Sequence, residues 1–172
     1  MLQGGPGDDT LAGGLGDETY AFDTDEPWGH ETVIEKTGEG HDVIDFSATS
    51  TLSVVFDLSD TAAQMVNANL TLSVQDGLGG SGEIEGVIGG SLNDILSGNE
   101  NDNTLTGGDG VDVLNGRGGD DLLEGGIGND VLNGGEGEDT IRENEDTDFF
   151  LSDVVLIRGS GEVDQLESIE VA

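Results

Sequence analysis

Residues 89–142 read GGSLNDILS GNENDNTLT GGDGVDVLN GRGGDDLLE GGIGNDVLN GGEGEDTIR, a nine-residue phrase repeated six times without a break. The units start at Gly89, Gly98, Gly107, Gly116, Gly125 and Gly134. Their sixth places hold Asp94, Asn103, Asp112, Asp121, Asp130 and Asp139, and their eighth places hold Leu96, Leu105, Leu114, Leu123, Leu132 and Ile141. A unit this short cannot bury its aliphatic residue alone, so the copies must stack as a solenoid in which each covers the next. The last three residues of each unit read as a strand of period two in which only the eighth residue points inward. The expected fold is therefore all-β with a narrow core.

The first six places carry different information. The units holding Gly107, Gly108 and Gly110, Gly125, Gly126 and Gly128, and Gly134, Gly135 and Gly137 fit the pattern GGxGxDxUx at every specified place, U being a large aliphatic. The other three depart from it: Leu92 follows Gly89 and Gly90 where the third glycine belongs, Asn99 and Asn101 replace glycines, and Arg117 stands between Gly116 and the pair Gly118 and Gly119. Glycines allow compact turns and leave backbone carbonyls uncovered. A carboxylate beside several carbonyl oxygens is an all-oxygen site for a hard cation, better suited to calcium than to a transition metal or to magnesium, which resists dehydration and demands octahedral geometry.

These units resemble the RTX, or hemolysin-type calcium-binding, repeats of bacterial secreted proteins. The resemblance implies a parallel β-roll with two units per coil and calcium held between same-side turns of successive coils. Carried onto this sequence, it places Asp94, Asp112 and Asp130 down one edge and Asn103, Asp121 and Asp139 down the other. Sites are then expected between the turns at Gly89 and Gly107, Gly107 and Gly125, Gly98 and Gly116, and Gly116 and Gly134, for at least four calcium ions. Asn103 offers a carbonyl oxygen without charge, so the site between the turns at Gly98 and Gly116 should be the weakest.

A shorter tract at residues 1–21 follows the same beat. Gly4, Gly5, Gly7 and Asp9, with Leu11 inward, fit fully; the next unit has Glu18 in the aspartate's place and Tyr20 in the core. Met1-Leu2-Gln3 reads as the end of a preceding unit, so the chain is expected to be an excised piece of a longer protein. Residues 22–46 keep a degenerate Gly-x-[Asp/Glu]-x-aliphatic beat and read as closing coils, with Asp42 a further candidate ligand and Phe22, Trp28 and Phe46 plugging the core's end. Residues 47–88 lack the glycine beat and read as longer strands, with one helical turn over residues 61–66. Residues 143–172 read as a C-terminal β segment, with a turn at Gly159-Ser160-Gly161 and an ending that echoes the phrase before the main tract, so a further tract is expected after Ala172.

Composition agrees with a cation-dependent fold. Asp and Glu number 38 against 4 Lys plus Arg, a formal charge of −34. Repulsion at that charge opposes compaction unless cations are built in, and it disfavours nucleic acid and anionic lipid as partners. Leu, Ile, Val and Phe make up about a quarter of the chain, above the roughly 20% below which chains stay disordered. Cysteine is absent, which removes disulfides and Cys-based zinc sites. No apolar stretch approaches the ~18 residues of a membrane span.

His30 and His41, the two histidines, are unaccompanied by a nucleophile elbow, a zinc-protease motif or a phosphate loop, and no catalytic role is expected. The sequence thus points to a non-catalytic module that binds calcium and folds with it. Family resemblance adds export by a type I secretion system, folding outside the cell, and a place in an adhesin-like or surface protein, whose surface or polysaccharide partner is unspecified. The alternative is the accessory region of a secreted protease, lipase or polysaccharide epimerase.

Overall fold

The computed structural model describes residues 1–36, 40–75 and 83–142, and the backbone of strands at residues 150–152, 155–157 and 163–167. Among the described residues there is no helix. Strands β1 (Thr10–Ala12), β2 (Thr19–Ala21), β3 (Gly29–Ile34) and β4 (Val43–Asp45) form the first coils. They are followed by β5 (Val55–Asp57), β6 (Gln64–Met65), β7 (Leu70–Gln75) and β8 (Gly86–Ile88). The main tract contributes β9 (Ile95–Ser97), β10 (Thr104–Asp109), β11 (Val113–Gly118), β12 (Leu122–Ile127), β13 (Val131–Glu136) and β14 (Thr140–Ile141). Beyond it lie β15 (Phe150–Ser152), β16 (Val155–Ile157) and β17 (Val163–Glu167). The turn expected at Gly159-Ser160-Gly161 lies outside the described residues.

Apart from β5 to β7 and β15 to β17, successive strands alternate between two rows, which makes the solenoid a parallel β-roll. One row is a six-stranded parallel sheet in the order β14-β12-β10-β8-β4-β2. The facing row carries β5, β9, β11, β13 and β17 in parallel, and the sheet β1-β3-β7-β6 is tied to it where the Val55 N–H donates to the Val66 carbonyl at 3.1 Å. Both repeat tracts therefore belong to one stack, because the first row runs unbroken from β2 to β14.

Register is set by the eighth-place residues. Along the unbroken row, Tyr20, Ile44, Val87, Leu105, Leu123 and Ile141 lie opposite one another in sequence. Phe56, Leu96, Leu114 and Leu132 do so in the facing row. All but Ile141 are fully or almost fully buried. A slip of one residue would turn the whole column to solvent, so burial fixes the register. The four central strands are longer than the three residues read from the sequence: β10 to β13 continue into the next unit's glycines, with its first place buried.

Two expectations for the segments between the repeat tracts need correction. Residues 61–66 are not helical: β6 pairs antiparallel with β7, and the Gln64 side chain accepts the Asp57 N–H at 2.9 Å and donates to the Asp57 carbonyl at 2.7 Å. These bonds, made to residues six to eight places away, outweigh intrinsic helix propensity. The aromatics do not close the end of the core either. They cross the coils beneath the inserted strands, with Phe22 5.5 Å from Trp28 and 5.8 Å from Phe46, and Phe46 5.8 Å from Phe56. Three strands, β5 to β7, face the single β8 in that coil, and large rings fill the interior they enclose.

Arg117 takes the left-handed conformation, φ 83°, that glycines adopt at the equivalent Gly108, Gly126 and Gly135. Its guanidinium reaches Asp57 at 2.6 Å and the Ser59 hydroxyl. That contact ties the inserted strands to the main tract.

Candidate metal centre

Each sixth-place residue precedes a strand, so the strand register stacks the acids. In one edge column the Val54 N–H donates to Asp94 Oδ1 at 2.7 Å, the Asp94 N–H to Asp112 Oδ1 at 2.7 Å, and the Asp112 N–H to Asp130 Oδ1 at 2.8 Å. In the other, the Asn103 N–H donates to Asp121 Oδ1 at 2.8 Å and the Asp121 N–H to Asp139 Oδ1 at 3.0 Å. All six side chains are buried. One carboxylate oxygen thus stitches coil to coil.

At Asp94 the second oxygen accepts the Gly90 N–H at 2.5 Å, but in three other acids it is left over. Oδ2 of Asp112, Asp121 and Asp139 is buried with no hydrogen-bond partner. A buried ionised oxygen without a donor costs several kcal/mol, so a proton or a cation must compensate it. Burial pushes Asp112 up to about 7 and Asp121 up to about 6, with neighbouring carboxylates adding to the rise and the backbone donors opposing it. Asp25 shows what a carboxylate looks like when protein donors suffice: hydroxyls and N–H groups of Ser50 and Thr51 surround it and hold it well below the usual aspartate range.

First-place glycines form the walls of this site. A methyl on Gly107 would meet Asp112 Oδ2 and, at 2.5 Å, the Gly125 carbonyl oxygen; one on Gly116 would meet Asp121 Oδ2 and, at 2.5 Å, the Gly134 carbonyl oxygen. Carboxylate and carbonyl oxygens of adjacent coils therefore converge on space that only glycine leaves open. The same approach relates Gly89 to Gly107 and Gly98 to Gly116, so the four same-side turn pairs are stacked. Gly108 and Gly126 abut Gly90 and Gly108, Gly128 abuts Gly110, Gly135 abuts Arg117 and Gly137 abuts Gly119, each through a carbonyl oxygen of the preceding coil.

The alternate column does not begin at Asn103. Its row continues upstream through Glu85, Asp42 and Glu18: the Asp42 N–H donates to Glu85 Oε2 at 2.7 Å and the Glu18 N–H to Asp42 Oδ1 at 2.8 Å. Ligand oxygens of Glu18, Glu35 and Asp42 lie within 4.8 Å of one another, and the Tyr20 hydroxyl hydrogen-bonds Glu35. Asp9 pairs instead with Glu31, against the Gly4 backbone, while Gly5 and Gly7 take positive φ in the turn between. Glu31, Glu35 and Glu85 are absent from the residues singled out by sequence. The signal was present in Gly29-His30-Glu31-Thr32-Val33, where glutamate two places before the buried aliphatic stands where aspartate stands in the repeats.

His30 and His41 are exposed, their N–H groups donating to Asp8 and Asp17. The outer face of the second row presents Val55, Ile95 and Val113 in register and exposed.

The sequence profile of the RTX calcium-binding nonapeptide repeat matches the chain in four copies, over residues 1–24, 88–123, 106–141 and 116–149, together half of the chain. The chain belongs to the RTX calcium-binding repeat family. A search of curated proteins finds no match. RTX repeats bind calcium as a non-catalytic module and are typical of secreted bacterial proteins. The RTX profile covers both glycine-rich tracts and leaves residues 25–87, with Glu31, Glu35, Asp42 and Glu85, outside its matches. Among the described residues, no helix is long and apolar enough to cross a membrane.

Proposed function

We propose that this chain is a calcium-dependent folding module of a larger secreted or cell-surface protein, holding calcium between the stacked turns of its two edge columns. The observation that carries this reading is the set of buried, donorless Oδ2 atoms of Asp112, Asp121 and Asp139. Calcium fits them because it accepts mixed carboxylate and carbonyl oxygens in flexible geometry. Without it, the acidic turns repel and a core one residue wide cannot offset chain entropy. Extracellular modules bind calcium with dissociation constants of about 10⁻⁴ to 10⁻³ M, which keeps such a chain unfolded in the cytosol and suits export through a type I system. The uninterrupted row from β2 to β14 supports a stiffened spacer over an accessory region of an exported enzyme, and no catalytic role is assigned to the chain.

Far-UV circular dichroism against calcium and magnesium concentration tests the reading at neutral pH. A β signal that develops with calcium, and much less with magnesium, is expected. Full β signal in excess chelator, or an equal response to the two ions, would sink it.

Asn103 supplies a second, local test. Its Oδ1 accepts the Asn99 N–H at 2.7 Å and its Nδ2 faces the Glu85 carbonyl at 3.5 Å, an uncharged link in an otherwise acidic column. Asn103→Asp adds a charge to the ligand set and sets two oxygens against each other unless a cation lies between them. Isothermal titration should show roughly tenfold tighter calcium binding at one site; unchanged affinity would count against Asn103 as a ligand.

A further inference from the structure

Glu31 is fully buried, and neither of its carboxylate oxygens has a hydrogen-bond partner. It lies on β3 in the place that sixth-position aspartates take in the repeats, because Thr10, Leu11 and Ala12 pair with Thr32, Val33 and Ile34. A methyl placed on Gly4 would lie 2.6 Å from Glu31 Oε2 and 2.9 Å from Asp9 Oδ2, so the two carboxylates face the same small space. Burial first, and the Asp9 carboxylate next, raise Glu31 above the ordinary glutamate value. The nearby Asp9 N–H offsets part of this without reaching full hydrogen-bond geometry with either oxygen. Elsewhere in the edge columns a backbone N–H satisfies at least one oxygen of Asp42, Glu85, Asp94, Asp112, Asp121, Asp130 and Asp139; neither oxygen of Glu31 has such a donor.

We propose that Glu31 and Asp9 hold a calcium ion between the first glycine-rich turn and the irregular coil that follows it, a site that joins the first repeat's aspartate to a glutamate outside the RTX matches. Calcium takes roughly six to eight oxygens and readily accepts a bidentate glutamate. Glu31 supplies both of its oxygens and Asp9 a third. Solvent completes the shell, since Gly4 is exposed and Asp9 partly so. The two turns are in contact through the Gly7 N–H, which donates to the Trp28 carbonyl at 2.6 Å, and the His30 N–H, which donates to Asp8 Oδ1 at 3.0 Å. A cation there bonds the irregular coil to the N-terminal tract, and so ties the inserted strands into the calcium-dependent stack.

The inference rests on the calcium-binding reading above and fails separately from it. Trp28, the chain's single tryptophan, lies three residues from Glu31 and makes terbium a local probe. Terbium in place of calcium on the full chain should give luminescence sensitised through Trp28, and Glu31→Gln should abolish it. Native mass spectrometry at saturating calcium should find one ion fewer in Glu31→Gln than in the parent chain. The same number of ions in both, or no tryptophan-sensitised signal from the parent, overturns the site while leaving the repeat sites standing; no calcium bound to either chain overturns the broader reading. Should Glu31→Gln fail to fold at saturating calcium, Glu31→Asp keeps the charge on a shorter arm. It is expected to weaken the terbium signal's midpoint at least tenfold, and an unchanged midpoint overturns the site.

Discussion

Replacing Gly128 by alanine is expected to abolish the calcium-induced β signal of the chain, or to move its calcium midpoint upward by more than tenfold. Gly128 has φ +153°, and a methyl there would overlap the Gly110 carbonyl oxygen of the preceding coil. That obstacle is backbone, and Gly110 cannot retreat without breaking the hydrogen bond from its own N–H to the Ile127 carbonyl at 2.7 Å. Left-handed geometry alone costs a non-glycine residue roughly 1–2 kcal/mol, and the overlap adds to it in a fold whose total margin is of the order of 5–15 kcal/mol. Two controls separate the causes. Gly5 has φ +101° with nothing within 4 Å of an added methyl, so Gly5→Ala should show the conformational cost alone. At Gly118 the methyl's one close approach would be to the flexible Glu100 Oε2 at 3.1 Å, with the Glu100 Cα at an ordinary 3.8 Å, so Gly118→Ala should be close to neutral. Calcium titrations of the three variants by circular dichroism check the order; a Gly128→Ala midpoint equal to that of Gly5→Ala would show that the coils are not stacked this closely.

The contrast among these glycines explains which parts of the molecule the sequence made legible. Repeated units impose the same contact on every coil, so the eighth-place aliphatics, the sixth-place acids and the pairing of alternate units could be read from period alone. Residues 47–75 have no such repetition. Their conformation depends on single, unrepeated contacts, such as Gln64 with Asp57 and, at long range, Asn69 with Thr24, and nothing in Thr61-Ala62-Ala63-Gln64 itself announces a strand. The same reason hid part of the candidate metal centre. Asp42 was visible because it follows a glycine-rich stretch, and Glu31 shares the degenerate beat without the run of glycines that marks a turn, whereas Glu85 acquires its place only once β8 is registered against its neighbours. Glu35 was hidden more deeply: it stands just after β3, where the repeats have glycine, and its role depends on the Tyr20 hydroxyl that reaches it from another coil.

Acid is expected to substitute for calcium. In the metal-free fold Asp112 is pushed up to about 7 and Asp121 up to about 6, chiefly by burial, while an exposed aspartate in the unfolded chain ionises near 4. Folding without calcium therefore takes up protons at both residues. The stabilisation this lends the metal-free fold is complete below about pH 4 and is lost as pH rises, for Asp121 through about 6 and for Asp112 through about 7. Calcium must displace the same protons, so its affinity moves the opposite way. Each proton released on binding weakens calcium by roughly tenfold per unit of pH decrease below the titrating value. Lowering pH from about 7.5 to about 5 in chelator should consequently raise the β signal, and over the same window the calcium midpoint should rise by about a hundredfold or more. Circular dichroism in chelator and calcium titrations at each pH measure the two trends on the same sample. Asp112→Asn isolates the larger contribution: an amide cannot ionise, so the variant should lose the upper part of the acid response, between about pH 6 and 7.5, and retain the part carried by Asp121. A metal-free chain whose β content does not change across this range would mean that the buried Oδ2 atoms are not what holds the apo chain open.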